Sequence, residues 1–473
     1  MRNSEMIWQL VDAKSEPFIA LSDRVWGMPE LAYNEYRSCA EHVAMLEHQG
    51  FRISRDIAGI PTAVMGEAGE GGPVIAILGE YDALPGLSQE AGVAEKRPLP
   101  GDGYGHGCGH NLLGSASLLA ATAVKDWLAA SGTPGRVRYY GCPAEEGGAA
   151  KGFMVRAGAF DDVDIAISWH PSAFWGVNEA RSLANTRIDF TFNGRASHAA
   201  AAPHLGRSAL DAVELMSVGV NYMREHMPSD ARVHSAILDA GGIAPNVVQA
   251  RAVVRYLIRA RDLPDLTRLI ARVRKIADGA ALMTETRVET KVISAVSNLL
   301  GNKPLERALQ DNLERLGPPP FDAADRAFAA QIQATLSEED ISSAFRRAGV
   351  PLRKGVPLCD VVVPLDAPTE PMVGSTDVGD VSWKVPTVQA RAATYAIGTP
   401  GHSWQLTAQG KTPAAHKGMV HVAKAMAATA VDVVTDAALM ARAKAEQAAR
   451  LAVTPYVCPL PEGLEPAIDM SKS

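Results

Sequence analysis

Four short strand-like runs constrain the fold of this chain most, because each has the length of a buried β-strand and ends at polar residues. They are Pro73–Leu78, Arg136–Tyr140, Val163–Ser168 and Ala392–Ile397. Strands that are buried on both faces are typical of parallel sheets covered by helices. Open sheets of this kind bind ligands at the edge formed by the carboxyl ends of their strands. The sequence therefore predicts an α/β fold with its chemistry at one edge of the sheet.

The residues just past these runs, and one motif between the first two runs, carry side chains that bind metals. They are Glu80, His106, Cys108, His110, Glu145, Glu146, His170 and His402. Thiolate and imidazole suit Zn²⁺, while carboxylates widen the choice toward Mn²⁺. Two adjacent glutamates permit a division of labour, in which one binds metal and the other handles protons. For Cys108 alone a buried structural cysteine is the simpler interpretation, but the whole set indicates a metal site.

Composition excludes several classes of protein. The net charge is −7 and no cluster of Lys and Arg is present, which argues against nucleic acid or an anionic membrane as a partner. The longest apolar stretch, Leu112 to Val124, is too short to span a bilayer, and no signal-like apolar core follows the N-terminus. The five cysteines are odd in number and widely spaced, so they do not indicate a disulfide framework. We expect a cytoplasmic protein.

The pattern of elements changes near Asn185, and 473 residues are too many for one ordinary domain. Up to that point, predicted amphipathic helices alternate with buried strands. The following segment alternates half-exposed strands with helices, which is typical of a small α+β domain with an antiparallel sheet. Because the metal-binding pattern resumes only near His402, we expect a catalytic domain of residues 1–184 and 298–473 with a domain inserted at 185–297. The Pro-rich segments 317–320 and 353–371 are interpreted as surface excursions.

Longer motifs resemble those of the aminoacylase-type metallopeptidases, a family that includes carboxypeptidase G and the indole-acetyl-amino-acid hydrolases. The motifs are Trp26-Gly-Met-Pro-Glu30-Leu, Asp82-Ala-Leu-Pro85, His106-Gly-Cys-Gly-His110, Pro143-Ala-Glu145-Glu146-Gly-Gly, Gly194-Arg-Ala-Ser-His198-Ala-Ala, Gly241-Gly-Ile-Ala-Pro-Asn246 and Gly398-Thr-Pro-Gly-His402. They fall in the family's order over nearly the whole chain. Two further segments, Pro203–Ala212 and Ser375–Trp383, are most similar to the branch of the family that hydrolyses p-aminobenzoyl-glutamate.

The resemblance implies a metallopeptidase-type catalytic domain with a mixed, largely parallel sheet flanked by helices, and an inserted α+β domain that serves as a lid and for dimerisation. It implies two divalent metal ions per subunit, Mn²⁺ or Zn²⁺. The metal ligands that it implies are Cys108, His110, Glu146, His170 and His402. Glu145 would be the general base, and His198 of the inserted domain would stabilise the oxyanion.

The resemblance also assigns residues around the metals. Asn246 and Arg259 would meet the carboxylate of the substrate, with a structural salt bridge as the alternative for Arg259. Glu80 would contact a metal ligand rather than a metal, with a solvated loop glutamate as the alternative. We predict that His198 acts on the metals of the other subunit in a dimer. Service to its own subunit, or capping of a local turn, are the alternatives for His198.

The implied reaction is hydrolysis of the amide bond of N-acyl or N-aroyl amino acids, which are small molecules. The leading substrate is p-aminobenzoyl-glutamate, which would give p-aminobenzoate and glutamate. A dipeptide, an indole-acyl amino acid or an arylamine at the same metals is a second possibility. A non-catalytic regulatory subunit is a third. The chain is expected to form a homodimer, or a heterodimer with a related subunit.

Overall fold

The computed structural model describes residues 3–178, 180–370 and 374–471. The helices are α1 (Asn3–Trp26), α2 (Tyr36–His48), α3 (His110–Ser131), α4 (Ala150–Arg156), α5 (Ala209–Met223), α6 (Leu263–Thr284), α7 (Lys303–Leu316), α8 (Ala323–Gln333), α9 (Glu338–Arg347), α10 (Val378–Lys384), α11 (Trp404–Gln409), α12 (Pro413–Thr435) and α13 (Ala437–Val453). The strands are β1 (Arg52–Ser54), β2 (Val64–Glu70), β3 (Val74–Glu80), β4 (Gly135–Cys142), β5 (Ile165–Ser172), β6 (Gly176–Val177), β7 (Ala184–Asn193), β8 (Arg232–Asp239), β9 (Arg251–Ala260), β10 (Arg287–Val296) and β11 (Thr387–Ala393).

The larger sheet has seven strands in the order β1-β2-β4-β3-β5-β11-β6. Its centre is parallel, because β3 pairs in parallel with β4 and β5, and β11 pairs in parallel with β5. Its outer pairs are antiparallel. The expected α/β class with a mixed, largely parallel sheet is thus confirmed.

Strand β3 shows why the sequence reads as an unbroken apolar run. Ile75 and Ile77 lie in one apolar cluster, together with residues of α1, α3 and α12. Val74, Ala76 and Leu78 lie in a second cluster on the other face, together with residues of α4 and α10. Because successive side chains of a strand point to opposite faces, a strand covered by helices on both sides must be apolar throughout.

The smaller sheet is antiparallel throughout, in the order β10-β7-β9-β8. Alternate residues of β7 and β9, such as Phe190 and Tyr256, pack with α5 and α6 in a cluster of their own. The opposite face carries polar residues, including Arg187 and Arg259. This sheet occupies the segment expected to be inserted, and the exact domain bounds stay a prediction.

Strand β8 was not predicted from the sequence. It lies at the edge of the sheet, and β9 is its one partner strand in the part of the chain that the structure describes. Most of its residues are exposed, Ile237 and Leu238 among them. An edge strand with this exposure has no alternation of apolar and polar residues to detect. The sequence also predicts a half-exposed strand over 186–192 whose edge would pair in a dimer. That prediction is wrong, because this strand is β7 and lies between β10 and β9. The edge strands of this sheet are β8 and β10.

The last strand of the larger sheet also differs from its prediction. The run Ala392–Ile397 was expected, but β11 ends at Ala393. The observed strand contains Gln389, a polar residue that does not fit the pattern of a buried strand. Gln389 is nevertheless buried, and Asn178 donates a hydrogen bond to its side chain. His402 therefore follows a loop rather than the strand itself.

The Pro-rich segments lie outside helices and strands, as expected, although the final residue of 353–371 is outside the described residues. The second segment is not purely superficial, because Leu358 and Val363 are buried in the core. Helices α8 and α9 occupy the chain between the two segments. Among the described residues, no helix combines the length and apolarity needed to cross a bilayer.

Candidate metal centre

The strand order gathers the candidate side chains at one edge of the larger sheet. Glu80 ends β3, the two glutamates follow β4, and His170 lies near the end of β5. These three strands are neighbours, in the order β4-β3-β5, and run in parallel. Their carboxyl ends therefore meet at the same place. The edge predicted from the sequence is the edge at which these residues converge.

Two turns bring the remaining side chains to this edge. Gly109 precedes α3 with φ at 80°, a left-handed conformation that suits glycine and lets Cys108 and His110 lie on either side of the turn. His402 itself has φ of 54° in the loop after β11, and its amide donates to the carbonyl of Gly107 at 2.9 Å. This hydrogen bond joins the His402 loop directly to the cysteine–histidine motif.

All five predicted metal ligands fall into two adjoining groups. Within each group, the ligand atoms lie within 4.8 Å of one another. The groups are Cys108, His110 and His170, and Cys108, Glu146 and His402. Cys108 belongs to both groups, and its Sγ lies 3.4 Å from His170 Nε2. Because the two groups share Cys108, they lie side by side, as the ligands of two neighbouring divalent ions would.

The donor set also fits divalent metal by what it leaves unsatisfied. His110 Nε2 and Glu146 Oε1 are buried atoms that make no hydrogen bond to the described residues. Each lies 3.3 Å from a charged group, Glu80 Oε2 and His402 Nε2 respectively. Buried polar atoms without hydrogen bonds are rare and call for an explanation such as an ion. Thiolate, imidazole and carboxylate together suit Zn²⁺ or Mn²⁺.

Asp82 orients the centre and was not identified from the sequence. Its Oδ1 accepts a hydrogen bond from His110 Nδ1 at 2.8 Å, so His110 presents Nε2 to the cluster. Its Oδ2 accepts from the amide of Glu146 at 2.9 Å. A carboxylate that bonds the far nitrogen of a histidine fixes its tautomer and ring orientation. The sequence signal was available, since Glu80 ends β3 and Asp82 follows it two residues later.

Glu80 is buried, so the solvated alternative is wrong. It is 2 % exposed, and its Oε1 lies 2.7 Å from Lys151 Nζ. Lys151 is fully buried and also lies 2.6 Å from Asp377 Oδ1. Buried charges are tolerated when they are paired in this way. The charged chain from His110 through Glu80 and Lys151 to Asp377 was missed, although a lone lysine in the apolar helix α4 is a detectable signal.

The adjacent glutamates occupy electrostatically different positions. Burial raises the pKa of Glu145 well above its usual value, and the neighbouring charges of Glu80 and Glu146 raise it further. Burial also acts to raise the pKa of Glu146, but the close contact with His402 and the nearby charge of His110 lower it to about 2. Two carboxyl groups with opposite shifts are suited to different tasks. Glu146 is suited to be an ionised ligand and Glu145 to accept a proton.

His106 does not join the cluster, although it belongs to the same motif. It is buried, and its Nε2 hydrogen-bonds the carbonyl of Val25 at 3.1 Å. Burial lowers the pKa of His106 to about 3, so the ring is neutral. Its role is to attach the end of α1 to the motif.

A cavity of about 600 Å³ opens at this edge, and its lining is rich in arginine. Cys108, Glu145, Glu146, His170 and His402 line it. Five arginines also line it, namely Arg181, Arg187, Arg259, Arg347 and Arg391. The acids in the lining, besides the two glutamates of the centre, are Glu370 and Asp377. Excess positive charge in a concave site attracts anionic ligands.

Arg259 reaches the cavity from the smaller sheet. Its Nη1 donates to Ser375 Oγ at 2.7 Å, and none of the acids among the described residues forms an ion pair with it. Burial lowers the pKa of Arg259, and the nearby charge of Glu145 acts in the opposite direction. The alternative of a structural salt bridge is therefore not what the described part of the chain shows.

His198 and Asn246 do not line the cavity of their own chain. Both are exposed, and they lie close together, since the amide of Ala199 donates to the carbonyl of Asn246 at 2.9 Å. His198 Nδ1 accepts hydrogen bonds from the amides of Ala200 and Ala201 at 3.2 and 3.1 Å. The histidine thus caps a local turn through Nδ1. This tautomer leaves the proton on Nε2, which is directed away from the turn.

The ligand role of Cys108 is testable through metal content. Replacing Cys108 with alanine is expected to lower bound metal and to make the protein easier to melt, because metal bound to the folded state stabilises it. The measurements are elemental analysis and thermal unfolding with and without added metal. Cys359→Ala is the matched control, since Cys359 is also a free cysteine but is buried outside the cluster. Equal metal content in the two variants would reject the assignment.

Comparison with known proteins gives a consistent result. The sequence model of peptidase family M20/M25/M40 matches residues 76–447. One of the subunits of the p-aminobenzoyl-glutamate hydrolase of Escherichia coli (strain K12) is 47% identical over 468 residues, covering 97% of this chain and 97% of that protein. The Xaa-Arg dipeptidase of Mus musculus is 30% identical, covering 91% of this chain and 88% of that protein.

A solved structure shares the fold at low sequence identity. It is that of a dinuclear metal-binding peptidase of the M20 family from Bacillus subtilis, with a TM-score of 0.53 and 19% identity. The match covers 86% of this chain and 98% of that one.

Proposed function

The chain belongs to peptidase family M20/M25/M40, and on this premise we propose that it hydrolyses the amide bond of N-acyl or N-aroyl amino acids. The leading substrate is p-aminobenzoyl-glutamate, which would be cleaved to p-aminobenzoate and glutamate. The observation that carries the proposal is one cavity that holds Glu145, the metal-binding side chains and an excess of arginines. The name of the Escherichia coli relative, which aligns over almost the full chain, supports the same substrate.

The residues present fit two divalent ions, Mn²⁺ or Zn²⁺, held by Cys108 together with His110 and His170, and by Cys108 together with Glu146 and His402. Such ions, when bound, polarise the amide carbonyl and make a bound water acidic. Asp82 keeps His110 in the tautomer that such a site needs.

Glu145 moves the proton in the proposed reaction. It accepts a proton from the attacking water and delivers it to the nitrogen of the leaving amino acid. The pKa of Glu145 is raised by burial and by the charges of Glu80 and Glu146, which is the direction that makes a carboxylate a better proton acceptor. The oxyanion of the tetrahedral intermediate then needs a donor, and the Nε2 proton of His198 is the proposed one. A regulatory subunit without chemistry would have no use for Glu145 beside a full ligand set.

The charge of the cavity favours some of the substrates named for the relatives over others. A glutamate tail brings carboxylates to the arginines, whereas the basic tail implied by the name of the Xaa-Arg dipeptidase would meet like charge. Like charges placed against each other act as a barrier to the wrong ligand. An acidic leaving amino acid is therefore favoured over a basic one. Neutral dipeptides and indole-acyl amino acids remain the second candidates.

The position of His198 and Asn246 supports a two-subunit site. Neither residue lines the cavity of its own chain, yet both belong to motifs expected at the active site. Docking of a second subunit along the exposed edge of β8 would cover Ile237 and Leu238, which are about half exposed. The partner is either a second copy of this chain or a related subunit, since the Escherichia coli relative is named as one subunit of its enzyme.

The purified chain tests the proposal directly. We expect it to retain divalent metal and to release glutamate from p-aminobenzoyl-glutamate, with little release of arginine from an Xaa-Arg dipeptide. Chelation should stop the reaction and added Mn²⁺ or Zn²⁺ should restore it. A metal-loaded chain that cleaves none of a panel of N-acyl amino acids, alone or with a related subunit, would overturn the proposal.

Arg259 is expected to bind the carboxylate next to the cleaved bond. Arg259→Lys should raise KM for N-acyl amino acids, because an ammonium cannot reproduce the two parallel hydrogen bonds of a guanidinium to a carboxylate. The measurement is steady-state kinetics on p-aminobenzoyl-glutamate and on its analogue with an amidated α-carboxylate. An equal loss on both substrates would contradict the assignment and indicate a structural role through Ser375.

A further inference from the structure

The smaller sheet presents a second arginine to the cavity, for which the proposed reaction has so far given no role. Arg187 on β7 and Arg259 on β9 both line the cavity. In the antiparallel pairing of these strands, Asn185 lies opposite Arg259 and Arg187 lies opposite Leu257. The two arginines are therefore diagonal neighbours on one face, a relation in which long side chains reach the same ligand.

The guanidinium of Arg187 lies beside the loop that carries the catalytic glutamate. Its Nη1 donates to the carbonyl of Gly147 at 3.2 Å. A methyl group built on Gly147 would lie 2.9 Å from the same nitrogen, so the contact is close. Because a guanidinium has five donors, this single hydrogen bond leaves most of its donors for a ligand.

Arg255 is the residue to compare with Arg187, because it lies on the same face of the sheet and is paired with a carboxylate. Its Nε and Nη2 bond the two carboxylate oxygens of Asp189 at 2.6 and 2.9 Å. No acid among the described residues forms an ion pair with Arg187, and Asp189, whose negative charge acts on Arg187, is bound by Arg255. Among the arginines on this face, Arg187 is thus a half-buried cation that lacks a carboxylate.

The electrostatic surroundings agree with this geometry. Burial lowers the pKa of Arg187, and the positive charges of Arg255 and Arg259 lower it further. A partly desolvated cation among like charges is unfavourable unless an anion compensates it. Asp189 compensates this charge only in part, because Arg255 binds its carboxylate, and a carboxylate of the ligand would supply the rest.

We propose that Arg187 binds the second carboxylate of a dicarboxylic leaving amino acid, while Arg259 binds the carboxylate next to the cleaved bond. This inference rests on the proposed function. The two carboxylates of glutamate or aspartate are separated by a short carbon chain, which suits two arginines that are diagonal neighbours on a sheet. Arg187 would then decide that the enzyme prefers acidic amino acids over neutral ones of the same size.

The alternative is that Arg187 only attaches the smaller sheet to the Gly147 loop. A latch of that kind would affect all substrates equally, because it acts through the position of Glu145. Binding of a second carboxylate would affect only the substrates that possess one. Selectivity between substrates therefore separates the two roles.

The test uses three p-aminobenzoyl substrates that differ only in the amino acid, namely glutamate, glutamine and norvaline. Wild type should prefer glutamate, and Arg187→Gln should lower kcat/KM for glutamate by about tenfold or more while leaving the other two nearly unchanged. The matched control is Arg251→Gln, because Arg251 lies on the same face of β9 but pairs with Asp239 and is not part of the cavity lining. It should change no preference.

A binding measurement makes the test independent of turnover. In a Glu145→Gln background, calorimetry should show that Arg187→Gln weakens p-aminobenzoyl-glutamate and not p-aminobenzoyl-norvaline. Arg187→Lys, which keeps the charge, should retain part of the preference if Arg187→Gln proves unstable. Equal losses on all three substrates would overturn the inference.

The failure of this inference differs from the failure of the proposed function. If metal-loaded wild type cleaves all three substrates without preferring glutamate over glutamine, Arg187 does not bind a second carboxylate, whatever the variants do. If wild type cleaves none of the three, the proposed function itself is wrong.

Discussion

Glu145→Gln is expected to abolish hydrolysis, with a loss on the order of a hundredfold or more, while bound metal stays at the wild-type level. The two adjacent glutamates have opposite electrostatics, since the pKa of Glu145 is raised and that of Glu146 is lowered to about 2. Glu146 belongs to the group with Cys108 and His402, whereas Glu145 belongs to a different group, with Glu80 and His110. Glutamine has nearly the shape of glutamate but cannot accept the proton of the attacking water.

Glu146→Gln is the matched control for this experiment. It removes the charge of the proposed ligand, so metal content should fall together with activity. The measurements are elemental analysis and the initial rate on p-aminobenzoyl-glutamate for both variants. If Glu145→Gln lost its metal and Glu146→Gln kept it, the two roles would have to be exchanged.

Mixing two inactive variants is expected to restore activity to about a quarter of wild type on a two-fold dimer model. Equal amounts of Glu145→Gln and His198→Ala chains are refolded together, so that half of the dimers are mixed. If His198 acts on the other subunit, each mixed dimer has one intact site and one site with both lesions. The expectation follows from the exposed position of His198 outside the cavity of its own chain.

The same experiment can also contradict the prediction that His198 acts on the other subunit. If His198 serves its own chain, every site in every dimer keeps one lesion, and the mixture stays inactive. His204→Ala is the matched control, because His204 is an exposed histidine of the same segment without a proposed role. That variant alone should stay active, which shows that the loss in His198→Ala is specific.

The α/β fold and the converging strand ends were accessible from the sequence. A strand such as Val74–Glu80 is buried on both faces and is therefore largely apolar. The polar residues that follow such strands then lie at the edge formed by the carboxyl ends of the parallel strands. The predictions failed where burial did not follow residue type. β8 is exposed at the sheet edge, and β11 buries Gln389 through a hydrogen bond.

The residue types of the metal cluster could also be predicted from the sequence. The individual role of each residue, however, depends on contacts between distant parts of the chain. Glu146 acquires its low pKa largely from His402, and Glu80 is held by Lys151, which Asp377 holds in turn. Charge and hydrogen bonding at a buried site are sums over neighbours in space, which local pattern does not contain.

Sequence by itself thus determined the fold class and the chemical kind of the site. Only the tertiary structure showed that Asp82 orients His110, that His198 and Asn246 lie outside their own cavity, and that Arg187 lacks an acidic partner among the described residues. The physical reason is the range of the forces involved. Hydrophobic periodicity can be detected within the sequence of a single helix or strand. Whether a buried charge is paired depends on which side chains the fold places next to it.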